Sequence, residues 1–115
     1  MEEDKKQMTA LPSHTYFEQL MGRGEETQEE LPSFVVVYFT AKWCKKCQTF
    51  DLKKMQASVP EATWFKNDID ENEQTYAYCS LRSIPSFVVL KNKKYMGSLS
   101  KTSEEAAIDW IKSFI

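Results

Sequence analysis

An apolar run, Phe34-Val35-Val36-Val37-Tyr38-Phe39, leads almost directly into Trp43-Cys44-Lys45-Lys46-Cys47. This junction constrains the chain more than any other stretch. The run reads as a buried strand and the cysteines as the start of the following helix. A Cys-x-x-Cys at a strand-to-helix junction in a βαβ context is a redox signature. Two intervening residues bring both sulfurs onto one helical turn, near enough to close a small disulfide ring. At a helix start, unpaired backbone N–H groups and the positive end of the helix dipole favour a thiolate at Cys44. The thiolate is the form that attacks a disulfide.

Composition narrows the class. The chain has 115 residues, a size suited to one domain with a real core. Its formal charge of −2 gives no general nucleic-acid signal. No apolar stretch approaches the ~20 residues of a membrane span. The charged start, Met1-Glu2-Glu3-Asp4-Lys5-Lys6, has neither the apolar core of a signal peptide nor the acid-poor character of a transit peptide. Three cysteines suit a reducing compartment better than a disulfide scaffold, so a cytoplasmic location is expected.

Elements alternate along the chain. Residues 1–7 read as a disordered tail, and 8–115 as a single domain. A short strand is expected over Met8–Leu11. Ser13 then caps a helix from His14 to Met21 that Gly22 and Gly24 end. Glu25–Glu30 reads as an acidic loop or an extra turn. Strand 34–40 is followed by one long helix over 44–58. A strand over 63–69, a helix over 71–81 and a hairpin of 86–91 with 94–99 come next, turning at Asn92-Lys93. Thr102-x-x-Glu105 reads as a capping box for a last helix. That helix would bury Ala106, Ala107, Trp110, Ile111 and Phe114. The order βαβαβαββα predicts an α/β layered fold with a mixed sheet.

The chain resembles the thioredoxin family from its central strand to its C-terminus, and more weakly through the first helix. Ala41-Lys42-Trp43-Cys44 matches the family's Ala-x-Trp-Cys segment. Lys66 and Asp70 fall where the family has Lys and Asp around its third strand. Arg82-Ser83-Ile84-Pro85-Ser86 resembles the loop that carries a cis-proline opposite the active site. The resemblance implies a thioredoxin fold, about five strands flanked by about four helices. It also implies thiol–disulfide exchange without a cofactor or a metal, in the service of electron transport and cell redox homeostasis. Cys44 would be the nucleophile and Cys47 the resolving thiol of a Cys44–Cys47 redox disulfide. Trp43, Ile84 and Pro85 would line the substrate groove. Partners would be disulfide-containing proteins and a thioredoxin reductase or a small dithiol or glutathione reductant. Neither nucleic acid nor membrane is expected as a partner, and the protein is expected to be a monomer.

Several positions depart from the family pattern. Lys45-Lys46 replaces Gly-Pro between the cysteines. The pair either tunes the Cys44 thiolate by charge attraction or stands solvated beside it. Tyr38 replaces a buried Asp six residues before Cys44. A phenol ionising near ~10 cannot take a proton from Cys47 at neutral pH. Tyr38 either leaves that step to water or another base, or simply fills the core, and Lys66 loses its usual carboxylate partner. Leu52 stands where the family kinks its active-site helix with Pro. Lys93 and Ser100-Lys101-Thr102 stand where glycines are expected. Cys79, near the proline loop, is either a regulatory thiol or a small buried apolar residue. His14 reads as a surface residue, and the acids from Asp68 to Glu73 as a solvated loop. Together these departures leave a second reading beside the enzyme, a thioredoxin-like adaptor whose redox activity is weak or incidental.

Overall fold

A computed structural model describes residues 8–24 and 30–115. The tail expected over 1–7, and positions 25–29 of the expected acidic segment, lie outside the described residues. In chain order the elements are β1 (Thr9–Ala10), α1 (His14–Leu20), β2 (Phe34–Thr40), a 3-10 turn (Cys47–Thr49), α2 (Leu52–Ser58), β3 (Thr63–Asp68), α3 (Glu73–Tyr78), β4 (Ser86–Lys91), β5 (Lys94–Ser100) and α4 (Glu104–Lys112). The five strands form one sheet in the order β1-β3-β2-β4-β5. The β1–β3 and β2–β3 pairs are parallel, and β2–β4 and β4–β5 are antiparallel. This is the mixed sheet expected from the order of elements.

All seven residues of β2 are buried. Side chains alternate across a strand, so β2 serves two core layers. Phe34, Val36 and Tyr38 pack in the layer that holds Cys44, Cys47, Met55 and Ile111. Val35, Val37 and Phe39 pack in the opposite layer with Phe17, Leu20 and Leu90.

The long helix expected over 44–58 is in fact two pieces. One 3-10 turn ends at Phe50, whose backbone is extended (φ −77, ψ 135). Asp51 then caps α2, its carboxylate accepting from Lys54 N–H at 3.0 Å. The backbone N–H freed at the break donates from Asp51 to Glu104 Oε1 at 2.9 Å. The break therefore forms without proline. A capping carboxylate on one side and an acceptor from α4 on the other satisfy the interrupted ladder. Phe50 anchors the break, its ring stacked on Tyr38 and Phe87.

Two other expectations shift. Ser103, not Thr102, caps α4, accepting from Ala106 N–H at 3.1 Å, while Thr102 is buried. Of the face expected for α4, Ala107 and Ile111 are buried and Trp110 and Phe114 are half-buried against the same layer; Ile108 joins them, and Ala106 alone is exposed. The β4–β5 hairpin turns at Asn92 and Lys93, both with positive φ (53 and 67), as a two-residue I′ loop demands. Lys101 also takes a left-handed conformation (φ 53). The chain thus keeps at lysines the backbone for which glycine is the usual residue.

Removing the Asp51 cap tests the broken helix. Asp51→Ala should cost about 1 kcal/mol of unfolding free energy, measured by urea denaturation. Asp51→Asn, which keeps an acceptor, should cost much less. Equal losses in both variants would show that the cap does not hold α2.

Candidate active site

The site lies at the end of the sheet where β2 gives way to the cysteine turn. Cys44 and Cys47 are joined by a disulfide, their Cα atoms 5.3 Å apart. Cys44 N–H donates to Ala41 C=O at 3.1 Å, and Gln48 Nε2 donates to the same carbonyl at 3.2 Å. Both bonds pin the turn to the strand end. Cys47 N–H donates to Cys44 Sγ at 3.1 Å. With the helix broken, the local N–H is the group that faces this sulfur, in place of the terminus of a long helix. The sulfurs sit low in the surface, with Cys44 7% and Cys47 4% exposed.

Around them the side chains divide by exposure. Trp43 is 65% exposed, yet its ring is held, because Nε1 donates to Asp70 Oδ2 at 2.9 Å. Asp70 is therefore a specific partner of the active-site tryptophan and not only a solvated acid. Sequence reading placed Asp70 in the family pattern but had no signal for this contact, which spans 27 positions. Lys42, Lys45 and Lys46 are all exposed around the turn.

The Ile84–Pro85 peptide is cis. Phe39 pairs with Ser86 across the β2–β4 ladder. That register sets Pro85 at the end of the sheet from which the cysteine turn departs. Ile84 packs against the layer that contains both cysteines. Ser86 braces the loop, its hydroxyl donating to Ser83 C=O and meeting Ser100 Oγ at 2.7 Å. The loop and the Cys-x-x-Cys, far apart in sequence, thus meet at one edge.

Tyr38 lies beneath the turn. Its hydroxyl donates to Cys47 C=O at 3.2 Å, and its ring stacks on Phe87 and Phe50. Burial pushes the phenol up, with a hydrogen bond to Thr40 opposing it in part. The group therefore stays protonated and acts as a donor. Lys66 is the neighbour of Tyr38 on β3. Both line a cleft of about 170 Å³ together with Thr40, Ala41, Lys42, Cys47, Gln48, Phe50, Leu52 and Asp68.

Two residues stand elsewhere. Cys79 is a free, buried thiol in the opposite layer, among Phe17, Leu81 and Leu90. Burial pushes its pKa from about 9 to about 12. At neutral pH it is a packing group and not a ready nucleophile. His14, expected at the surface, is buried. Its Nδ1 lies 2.9 Å from Thr75 Oγ1, joining α1 to α3, and its ring stacks with Phe17.

A disulfide between two cysteines on one turn, a cis-proline loop beside it and a five-stranded mixed sheet define a thiol–disulfide oxidoreductase of the thioredoxin type. Residues 21–113 match the thioredoxin family model. The chain is 32% identical over 76 residues to the thioredoxin of Geodia cydonium, covering 64% of this chain and 72% of that protein. The oxidised form of mitochondrial thioredoxin 3 from Saccharomyces cerevisiae superposes with a TM-score of 0.78 at 25% identity, over 92% of this chain and 94% of that one. Schistosoma mansoni thioredoxin gives 0.75 at 27% identity, over 96% and 97%. The chain belongs to the thioredoxin family. Its reaction is thiol–disulfide exchange at the Cys44/Cys47 pair, and family membership implies protein disulfides as substrates and a reductase as electron donor.

The buried thiol sets a pH dependence. In the oxidised protein Cys44 and Cys47 do not titrate. Between pH 9 and 12 an unfolded Cys79 has lost its proton while the folded one keeps it. Ionisation then favours the unfolded chain. The Cys79 contribution is therefore whole below about 9 and declines as pH rises toward 12. The stability deficit of Cys79→Ala at pH 7 should narrow steadily by pH 11 in urea titrations. A deficit constant with pH would show that Cys79 ionises as freely folded as unfolded.

Proposed function

We propose that Cys44 attacks the substrate disulfide and Cys47 resolves it, in a cycle that reduces protein disulfides. The Cys44 thiolate bonds to one substrate sulfur, and the other leaves as a thiol after taking up a proton. Cys47 then gives up its proton and attacks Cys44 Sγ. The Cys44–Cys47 bond forms, the mixed disulfide breaks, and its electron pair leaves with the second substrate sulfur. The protein is left oxidised by two electrons, which a thioredoxin reductase or a small dithiol or glutathione system restores. The observation that carries this reading is the Cys47 N–H on Cys44 Sγ, since a donor aimed at that sulfur favours its anionic form. Trp43, Ile84 and Pro85 are the walls against which the substrate lies. The protein works as a monomer, as one domain over 8–115, in the cytoplasm.

Cys44→Ser should abolish the reduction of insulin disulfides by dithiothreitol. Cys47→Ser should trap substrates as mixed disulfides visible on non-reducing gels. Activity of Cys44→Ser equal to that of the wild type would sink the assignment and leave an adaptor.

The lysines between the sulfurs tune this pair. Lys45 and Lys46 favour the thiolate, and stabilising the reduced form makes a dithiol pair more oxidising. The potential should be less negative than the ~−270 mV of thioredoxin. Because both side chains are exposed, the effect should shrink as salt is added. With Lys42 they also make the face basic, which speeds encounter with acidic substrates at low salt. Equilibration of the wild type and of Lys45→Gly/Lys46→Pro against glutathione tests the first effect. Rates on acidic and basic disulfide peptides across ionic strength test the second. A potential at or below the thioredoxin value, or a salt slope unchanged in the variant, would remove these roles.

A further inference from the structure

Resolution needs a proton acceptor for Cys47, and Tyr38 does not supply one. Its phenol is a buried donor already committed to Cys47 C=O. The strand register points to a replacement. On β2, Tyr38 and Thr40 share the face beneath the cysteine turn. Their partners on β3 are Lys66 and Asp68, one beside each. Trp64, two positions before Lys66, packs in the same layer as Cys44 and Cys47. Alternation therefore puts Lys66 and Asp68 on that face as well.

These four residues and Cys47 line one cleft, and Asp68 is the only carboxylate among its described lining residues. The cleft measures about 170 Å³. A water occupies about 30 Å³ in the liquid, so there is room for several. Its walls offer those waters hydrogen-bonding partners in Thr40, Gln48, Lys42, Lys66 and Asp68.

We propose that Asp68 accepts the Cys47 proton through water in this cleft, a duty carried on β3 instead of β2. The proposal rests on Cys47 being the resolving thiol. In the mixed disulfide the Cys47 proton passes through water to the Asp68 carboxylate. The Cys47 thiolate attacks Cys44 Sγ, the internal disulfide forms, and the substrate sulfur leaves with the bonding pair. That sulfur takes a proton from solvent, and Asp68 returns its own to solvent in the next cycle. The titratable and charged groups around Asp68 are Lys66 on its own strand, Tyr38 on β2, Lys42 from the loop after β2, and Cys47 itself. Asp70 donates its N–H to Asp68 Oδ1 at 2.9 Å and so touches the same carboxylate.

The test separates the two thiol steps. Reduced protein mixed with a small aromatic disulfide, 5,5′-dithiobis(2-nitrobenzoate), releases one coloured thiolate when Cys44 attacks and a second when Cys47 resolves. Both releases are followed by stopped flow from pH 6 to 10 in the wild type, Asp68→Asn and Asp68→Glu. Asn keeps an oxygen acceptor for Asp70 N–H, so the turn below Trp43 is retained. Asp68→Asn should leave the first release unchanged and slow the second by about a hundredfold near pH 7, the low end of general-base effects. The gap should close toward pH 10, where hydroxide replaces the base. Asp68→Glu should restore most of the second rate. Equal second-phase rates in wild type and Asp68→Asn at every pH would overturn the proposal. So would a slowing of both phases that does not vary with pH, which would assign Asp68 a structural role through Asp70 and Trp43. Absence of the first phase in the wild type would instead remove the attacking role of Cys44, and this proposal with it.

Discussion

Strand β2, buried on both faces along its whole length, is the constraint on which the rest of the molecule depends. Burial leaves no freedom in its register, because a slip of one residue would exchange the two core layers. With the register held, Tyr38 and Thr40 come to lie beside Lys66 and Asp68, and Phe39 beside Ser86. The cysteine turn, the proline loop and the cleft below Cys47 are all hung from these pairings. The chemistry sits at the exit of β2 because β3 also ends there and β4 begins there.

The floor of the site is aromatic. A buried carboxylate at position 38 would carry a desolvation cost that only good partners could offset. Tyr38 avoids that cost. Its ring packs against both Phe50 and Phe87, and its hydroxyl satisfies the Cys47 carbonyl. Such a floor holds the turn by packing and by one hydrogen bond, where an ionised group would hold it by charge. Phe50 belongs to the same stack, which links the floor to the break before α2. The break is stabilised from outside by Glu104 of α4, so the last helix helps to position the first turn after the cysteines. The Lys54–Glu104 ion pair at 3.8 Å is largely exposed on the lysine side and adds little.

The rim is exposed and largely charged but tied at one point. Trp43 presents most of its surface to solvent while Asp70 holds its nitrogen. An exposed aromatic ring with a fixed orientation is suited to lie against another protein. The exposed lysines add charge around it without burying any. Functions that need a surface and functions that need a dry interior are thereby separated within a few residues of one turn.

Local sequence carried the strands, most helices and the reactive pair. The unbroken apolar run reads as a buried strand, the Cys-x-x-Cys as a pair near enough to close a disulfide, and the Asn92-Lys93 turn follows from the two segments it joins. These signals act over a few residues, so periodicity and spacing reveal them. The helix break at Phe50 was not legible, because no proline or glycine marks it. It exists because Phe50 finds Tyr38 and Phe87 in the core and Glu104 accepts from the following N–H. The cap of α4 is Ser103 and not Thr102, because Thr102 is buried and Ser103 is left to accept from Ala106 N–H. His14 went inside because Thr75, on another helix, offered its ring nitrogen a partner. The sequence by itself determined which residues react and in what order of elements they are held. Tertiary structure alone decided what surrounds them, since a pair such as Thr40 and Asp68 becomes adjacent only when two strands align, and hydrogen-bond reach depends on distance in space and not along the chain.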